Sequence, residues 1–393
     1  MTAIPGAKTN SNRGVFYYWR GRVALCAILR ALELKSDDEV LLQAFTCLAV
    51  LSPIVGLGLK PVYVDIDPNT YNINPELLEK RITPRSRVII VQHTFGIPAP
   101  MAAILALAQK HGLVVIEDCC HVLGSRYEGK DLGTFGDAAF YSYEWGKPIV
   151  IGVGGAAIIH SSSVLESVRS RYEQYLRAKM SDVAKVNVLY AAHSLLRRPA
   201  LFWAVRGAYR LLSRSNFMVS SFREEEFEGK LNQEYEMRMP DILRRRLSTK
   251  SRGSRVMKSV HHRARLGREY EMFMRGLGLD IVDPPSGSET VFLRFPLIAR
   301  DKDKVLEKAR AAHIEMGDWF ASPVHPLTPA QWPTVMYNKG SCPVAEHLSS
   351  SVVTLPVSDR VGTRDSRKAL DFITKIADAD LLKRRLTDRK PAA

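Results

Sequence analysis

Apolar residues recur at three- and four-residue spacing over 23–34, 100–112 and 304–313, the period that gathers them on one face of a helix. Between these segments lie short apolar runs rich in β-branched residues, at 39–42, 61–64, 88–91 and 113–116. Each is of strand length, and turn signals such as Asp67-Pro68 and Gly112 lie close by. Helix and strand therefore alternate through roughly the first 160 residues, which predicts an α/β fold around a mostly parallel sheet. Ligands of such sheets bind beyond the carboxyl ends of the strands.

The pattern changes over 161–230, which reads as helical, basic and aromatic, with no strand signal. It restarts after about residue 250, with a strand at 291–298, a helix at 304–313, an apolar run at 351–357 and a closing helix at 366–376. These shifts predict a large domain over 1–250, carrying the helical basic insertion 161–230, and a smaller α+β domain over 251–393. No internal repeat and no low-complexity linker is evident.

Composition narrows the class. A chain of 393 residues with 46% hydrophobic and 25% charged residues has globular composition. It is long enough to bury a core without disulfide staples. The five cysteines, Cys26, Cys47, Cys119, Cys120 and Cys342, form no C-x-x-C pair and read as reduced thiols. His193, His261 and His262 lack companions at ligand spacing, so no metal is expected. The first residues are polar and lack an apolar leader core, and no run of about 18 apolar residues appears. A cytoplasmic protein is the expectation. The net charge of +15 favours anionic partners without choosing among them.

Three short stretches carry candidate chemistry. In 113–121 an apolar run ends on Glu117 and Asp118, followed by Cys119, Cys120 and His121. A carboxylate at a strand end can pair with a cationic ligand nitrogen. Next, Lys147 lies between the strand-like run 138–143 and the glycine-rich stretch 152–155. A lysine enclosed by apolar neighbours loses solvation and becomes available as the free amine that forms a Schiff base. Finally, Gly21 stands between Arg20 and Arg22 at the start of an amphipathic helix, where backbone N–H groups make an anion site. Taken singly, these are also an N-cap, a surface lysine and an ordinary helix entry.

Together, and in order, the stretches resemble the DegT/DnrJ/EryC1/StrS family of sugar aminotransferases. Further matching segments are Asp38-Glu39-Val40, 61–67, 70–73, 112–118, 133–137, 142–147 and Leu355-Pro356-Val357. The resemblance implies a pyridoxal-phosphate (PLP)-dependent transferase of fold type I. Lys147 would hold pyridoxal 5'-phosphate as a Schiff base and move the proton during turnover. Asp118 would pair with the pyridinium nitrogen, so that the ring acts as an electron sink. His121 would pack by the ring. Ser142 and the backbone N–H groups of Gly21, Arg22 and Val23 would bind the phosphate. His325 and Arg238 match positions near the substrate.

Three departures stand out. Arg22 replaces a small hydroxyl residue. Cys47 occupies a ring-side position that the family often fills with an aromatic. Glu236 aligns near an asparagine that the family lends to the neighbouring subunit. A bridge from Arg22 to both phosphate and Glu236 would reconcile the first and last. The implied activity is transfer of an amino group from an amino acid, glutamate in the leading reading, to a nucleotide-linked keto-sugar. A homodimer with shared active sites follows, without nucleic acid as a partner. A dehydratase of the same fold and a non-catalytic binding or regulatory protein are the competing readings, and Lys147 disfavours the dehydratase. The arginine-rich stretch 187–222 suggests peripheral contact with an anionic membrane, a helix packed on the protein's own core, or a lid over the site.

Overall fold

The computed structural model describes residues 14–196, 222–250 and 254–384. Its central element is a nine-stranded sheet. The strands, in chain order, are β1 Gly14–Tyr18, β2 Glu39–Gln43, β3 Lys60–Val64, β4 Ser86–Gln92, β5 Val114–Asp118, β6 Ala138–Ser142, β7 Gly155–Ile159, β8 Leu176–Arg177 and β9 Met237–Arg238. Their spatial order is β8-β9-β1-β7-β6-β5-β4-β2-β3. The five strands β3, β2, β4, β5 and β6 run parallel, and β7 reverses direction against both β6 and β1.

The parallel strands read as unbroken apolar runs because both faces are covered. Along β4, Val88 and Ile90 enter one buried cluster, and Ile89 and Val91 enter the other. The first cluster takes Val23, Leu25 and Ile28 from helix α1, Gly21–Ala31. The second takes Leu78 from α3, Pro75–Arg81, and Ile104 and Ala108 from α4, Met101–His111. Between α1 and α3 lies α2, Leu48–Gly56. Helix α4 ends on Gly112 at φ 64°, a left-handed cap that glycine adopts without steric cost. The helices and strands foreseen in the first 160 residues thus appear, each within a few residues of its expected limits.

The segment 161–230 needs correction. Helices α5, Ser162–Tyr172, and α6, Met180–Leu196, fill its first part, but β8 lies between them and extends the sheet. Two residues paired in parallel to β9 leave no periodicity to read. Val183 and Val186 of α6 pack with Ile151 and Val153, so this part of the helix is seated on the protein's own core. Most of the arginine-rich stretch 187–222 falls outside the described residues. Among those described, no helix is long and apolar enough to cross a membrane.

Beyond β9 come α7, Asp241–Lys250, and α8, Ser254–Gly276. An antiparallel pair follows, β10 Arg294–Ile298 with β11 Val352–Pro356, flanked by α9 Lys302–Ala311, α10 Pro343–Ser351 and α11 Thr363–Asp378. The connection is not a separate layer in every contact. Val324 and His325 pair in parallel with Thr46 and Cys47, just past the end of β2. That pairing carries a C-terminal loop to the carboxyl edge of the parallel strands.

Candidate active site

Strands β5 and β6 end side by side, and their last residues, Asp118 and Ser142, face a cavity of about 770 Å³ at the carboxyl edge. Gly21, Arg22, Cys47, His121, Lys147 and His325 also line it. Six residues expected from the motifs are therefore brought together with the two strand ends.

Adjacent side chains on a strand point to opposite faces, and this separates Glu117 from Asp118. Glu117 is fully buried on the far side. Its carboxylate accepts hydrogen bonds from the backbone N–H groups of Gly133, Phe135 and Gly136 at 2.7, 2.7 and 2.9 Å, and lies 3.1 Å from His93 Nε2. Burial would raise its pKa, but these bonds outweigh burial and hold it below the usual carboxylate range. The matching segment 133–137 is thus the strap that satisfies Glu117. With four partners already present, Glu117 has little left to offer a cation, although His93, Glu117 and Cys119 converge as a ligand set would.

Asp118 turns into the cavity at 5% exposure. One oxygen accepts from the Cys120 N–H at 2.9 Å. Burial pushes its carboxyl up, with the Cys120 N–H and the charge of Lys147 pulling partly back. A cationic partner in the cavity would favour its charged form.

Lys147 lies on the loop between β6 and β7. It is half-buried, less enclosed than its apolar neighbours in sequence imply. Its Nζ is 5.3 Å from the centre of the Trp319 ring. Trp319 and Phe320 form an aromatic wall with His121, whose ring is 5.6 Å from Trp319 and 6.1 Å from Phe320 at near-parallel angles. Burial, then the charges of Lys147 and Arg294, hold the His121 imidazole well below its ordinary pKa, so it is neutral. Its Nδ1 accepts from the Phe95 N–H at 3.3 Å, which places the ring proton on Nε2. His325 is also held neutral, first by burial, and its Nδ1 accepts from Ala321 N–H.

A cradle for an anion lies at the start of α1. The N-cap of α1, Arg20, makes no side-chain cap, leaving the first N–H groups of the helix as anion donors. Gly21 is required by closeness: a Cβ there would sit 2.8 Å from Ser142 Cβ and 3.1 Å from Tyr141 O. Ser142 Oγ is buried and has no hydrogen-bond partner within the protein. Val23 is buried one residue behind the lining, so only its backbone can contribute. A phosphate acceptor, a buried carboxylate for a ring nitrogen, a flat aromatic wall and a lysine around one cavity fit pyridoxal phosphate. Cys47 is half-buried beside His325 and offers no aromatic face. Trp319 and Phe320 supply that face instead. In the sequence they stand about five residues before His325, and no periodicity marks them as ring-side residues.

The expected bridge from Arg22 to Glu236 is not formed. Arg22 Nη1 contacts both carboxylate oxygens of Glu226, at 2.8 and 3.0 Å, with its guanidinium 5.1 Å above the Phe222 ring. Glu226 also accepts from Tyr235 Oη at 2.7 Å and Arg223 N at 2.9 Å. Glu236 pairs with Arg30 at the surface instead, at 2.6 Å. Arg20 in turn is held by Glu144 and by Glu234, the latter at 2.6 Å. Glu236 projects to the opposite side because residues 233–236 form a 3-10 turn, which swings successive side chains around its axis. Arg238 does not line the cavity in this chain. It pairs with Glu173 at 3.1 Å and leans over Tyr172.

The fold and the family match define a pyridoxal-phosphate-dependent transaminase. The chain belongs to the DegT/DnrJ/EryC1/StrS aminotransferase family, whose model matches residues 20–188 and 215–374. It is 29% identical over 339 residues to UDP-N-acetyl-3-dehydro-alpha-D-glucosamine 3-aminotransferase of Acidithiobacillus ferrooxidans, covering 86% of this chain and 77% of that protein. It is 36% identical over 158 residues to L-glutamine:2-deoxy-scyllo-inosose aminotransferase of Streptomyces kanamyceticus, a match spanning 40% of this chain and 36% of that protein. Among solved structures it resembles DesV of S. venezuelae, with a TM-score of 0.67 and 24% identity over 93% of this chain and 85% of that one.

Proposed function

We propose that the protein transfers an amino group from an amino acid to the keto carbon of a nucleotide-linked sugar. The observation that carries this reading is the convergence of Lys147, Asp118, Ser142 and the α1 N-terminus on one cavity. Bound there, pyridoxal phosphate supplies an electron sink for the carbon that loses its proton. Lys147 would hold the cofactor through Nζ and supply the amine that moves a proton. Asp118 would face the ring nitrogen and favour its protonated form through a charge-assisted bond. Ser142 Oγ and the N–H groups of Gly21, Arg22 and Val23 would bind the phosphate. His121, neutral and stacked on Trp319, would pack by the ring with Nε2–H as a donor.

The cavity of about 770 Å³ exceeds what one cofactor needs and lies in the range of sites that enclose a full ligand. Lys179, just before α6, and Lys185 within it also line the cavity, and would put positive charge near a diphosphate. Relatives that act on a UDP-linked sugar and on an inosose support a cyclic polyol or sugar ketone as acceptor. A homodimer sharing its active sites is part of the reading, with His325 and the outer cavity on the substrate side.

Purified protein offered a panel of nucleotide-linked keto-sugars with L-glutamate or L-glutamine should yield an amino-sugar with at least one pair. Borohydride should fix the cofactor to the peptide containing Lys147. Label on another lysine would overturn the assignment. Sedimentation should show a dimer.

A further inference from the structure

The aromatic wall beside Lys147 stands on a stretch of chain with little regular structure. Gly317 exchanges two backbone hydrogen bonds with Thr354 of β11, both 2.9 Å long. Pro323 O accepts from the N–H groups of Phe45 and Thr46, at 2.7 and 3.0 Å. Trp319 and Phe320 lie between these two anchors, and a lysine from α9 meets the backbone there. Lys302 Nζ donates to Asp318 O at 3.0 Å and to Phe320 O at 3.2 Å, the carbonyls of the two chain neighbours of Trp319. It also donates to Ser349 O, in the last turn of α10, at 2.7 Å. A lysine ammonium has three donors, and here each has an acceptor.

The placement of this side chain sets it apart from a surface lysine. Lys302 is the first residue of α9, where the helix dipole disfavours a cation. The stem carries the charge away from that end, to the last carbonyls of α10, where a cation is favoured. Burial lowers the pKa of the ammonium, with Asp318 and Asp303 pulling back. Lys302 stands outside the cavity lining, so any influence on the site passes through the wall. The centre of the Trp319 ring is 5.3 Å from Lys147 Nζ and 5.6 Å from the His121 ring. A backbone shift of about 1 Å at 318–320 would displace the surface against which both are set, and displacements of that size are costly to a reacting centre.

We propose that Lys302 is a positioning residue for the reaction: by tying Asp318 O, Phe320 O and Ser349 O together, it sets the Trp319–Phe320 wall against Lys147 and His121. The proposal rests on the transamination reading for the chemistry that the wall serves.

Three variants of the full chain test it. Lys302→Met keeps the aliphatic stem and removes all three donors. Lys302→Arg keeps charge and donors. Asp301→Ala removes the N-cap that accepts from Lys304 N at 3.0 Å, and so weakens the same helix without touching the wall. The first readout is the rate at which an amine-reactive reagent labels Lys147 in the cofactor-free protein, followed on its peptide. Lys302→Met should speed labelling about threefold, the scale of a lost cation–π contact, as the indole uncovers Nζ. Lys302→Arg and Asp301→Ala should stay near wild type. The second readout is the dissociation constant of pyridoxal phosphate by equilibrium dialysis. It should rise about tenfold in Lys302→Met, as a supporting contact loosens by a fraction of an ångström, and stay near wild type in the other two. A lower urea midpoint in Lys302→Met, with labelling and cofactor affinity unchanged, would make Lys302 a staple of α9 and α10 alone and overturn the proposal. An equal response from Asp301→Ala would overturn it as well. Faster labelling in Lys302→Met, with no pyridoxal phosphate bound even by the wild type, would sink the transamination reading and leave the hold of Lys302 on the wall standing. Should Lys302→Met not fold, Lys302→Gln, with two amide donors on a shorter stem, decides by the same readouts, with a smaller change in the same direction.

Discussion

Asp118 and Arg22 border the same cavity, yet the two ends of the site are built differently. At the end proposed for the cofactor ring, Asp118, Ser142 and Lys147 come from two adjacent strands and the loop that follows, within thirty residues of one another. Backbone pairing places them, and few long-range side-chain contacts are needed. At the end proposed for its phosphate, Arg20 and Arg22 are held by Glu144, Glu226 and Glu234, partners separated from them by up to 214 residues. There the geometry depends on buried ion pairs, which are costly to break. One end is specified by strand register, the other by charge.

The sharpest test of the ring end is Lys147→Ala. Turnover should fall by at least about 10²–10⁴-fold, the span of a positioned proton-transfer group. The melting temperature of the cofactor-free protein should barely move. Residual turnover near wild type would remove the basis of the comparison.

At the phosphate end the larger effect should be on stability. Arg22→Thr leaves Glu226 buried without its counter-charge and should cost about 3–5 kcal/mol in urea unfolding. Replacing both members, Arg22→Met with Glu226→Leu, should recover much of that loss, since the pair's desolvation cost goes with it. Additive losses would show that the two are not a unit.

The neighbouring carboxylates Glu117 and Asp118 should respond to pH with opposite signs. Glu117 has a lowered folded-state pKa. Its contribution is present above the ordinary carboxylate pKa of about 4 and is lost as pH falls through the lower folded value. Glu117→Gln should therefore cost about 1–3 kcal/mol at neutral pH and less in acid. Asp118 has a raised folded-state pKa, so its contribution is present in acid and lost as pH rises through that value. Asp118→Asn should stabilise the cofactor-free protein at neutral pH while slowing turnover about 10²-fold, some 3 kcal/mol of barrier. Parallel pH profiles in the two variants would contradict this. The smallest effect belongs to Glu236→Asn, where a surface pair with Arg30 should be worth under about 1 kcal/mol and should not rescue Arg22→Thr.

These contrasts follow what could be read before folding. The parallel strands were legible because burial on both faces makes each an unbroken apolar run, as in 88–91. The positions of Asp118, at a strand end, and Lys147, on the loop after the next strand, were legible because local spacing fixes them beside the same cavity. The two-residue strand β8 was not, since pairing so short leaves no period. Glu226 was not, since nothing near it in the chain points to Arg22. Arg22 instead suggested Glu236, ten residues further along, which the 3-10 turn directs to Arg30. Trp319 was not legible, since a lone aromatic reads as core until the pairing of nearby His325 with Cys47 brings its loop to the cavity.

The ion pairs of the phosphate end also set a timetable for synthesis. Arg20 and Arg22 leave the ribosome some 200 residues before Glu226 and Glu234. At about 5–20 residues per second, that interval is roughly 10–40 s. Through it, Arg22 lacks Glu226 and Arg20 gains Glu144 but not Glu234, and Lys147 appears on the chain partway. The phosphate cradle is therefore among the last parts of the sheet edge to close. A nascent chain should acquire its cofactor only after residue 234 has emerged, however early its first strands pair.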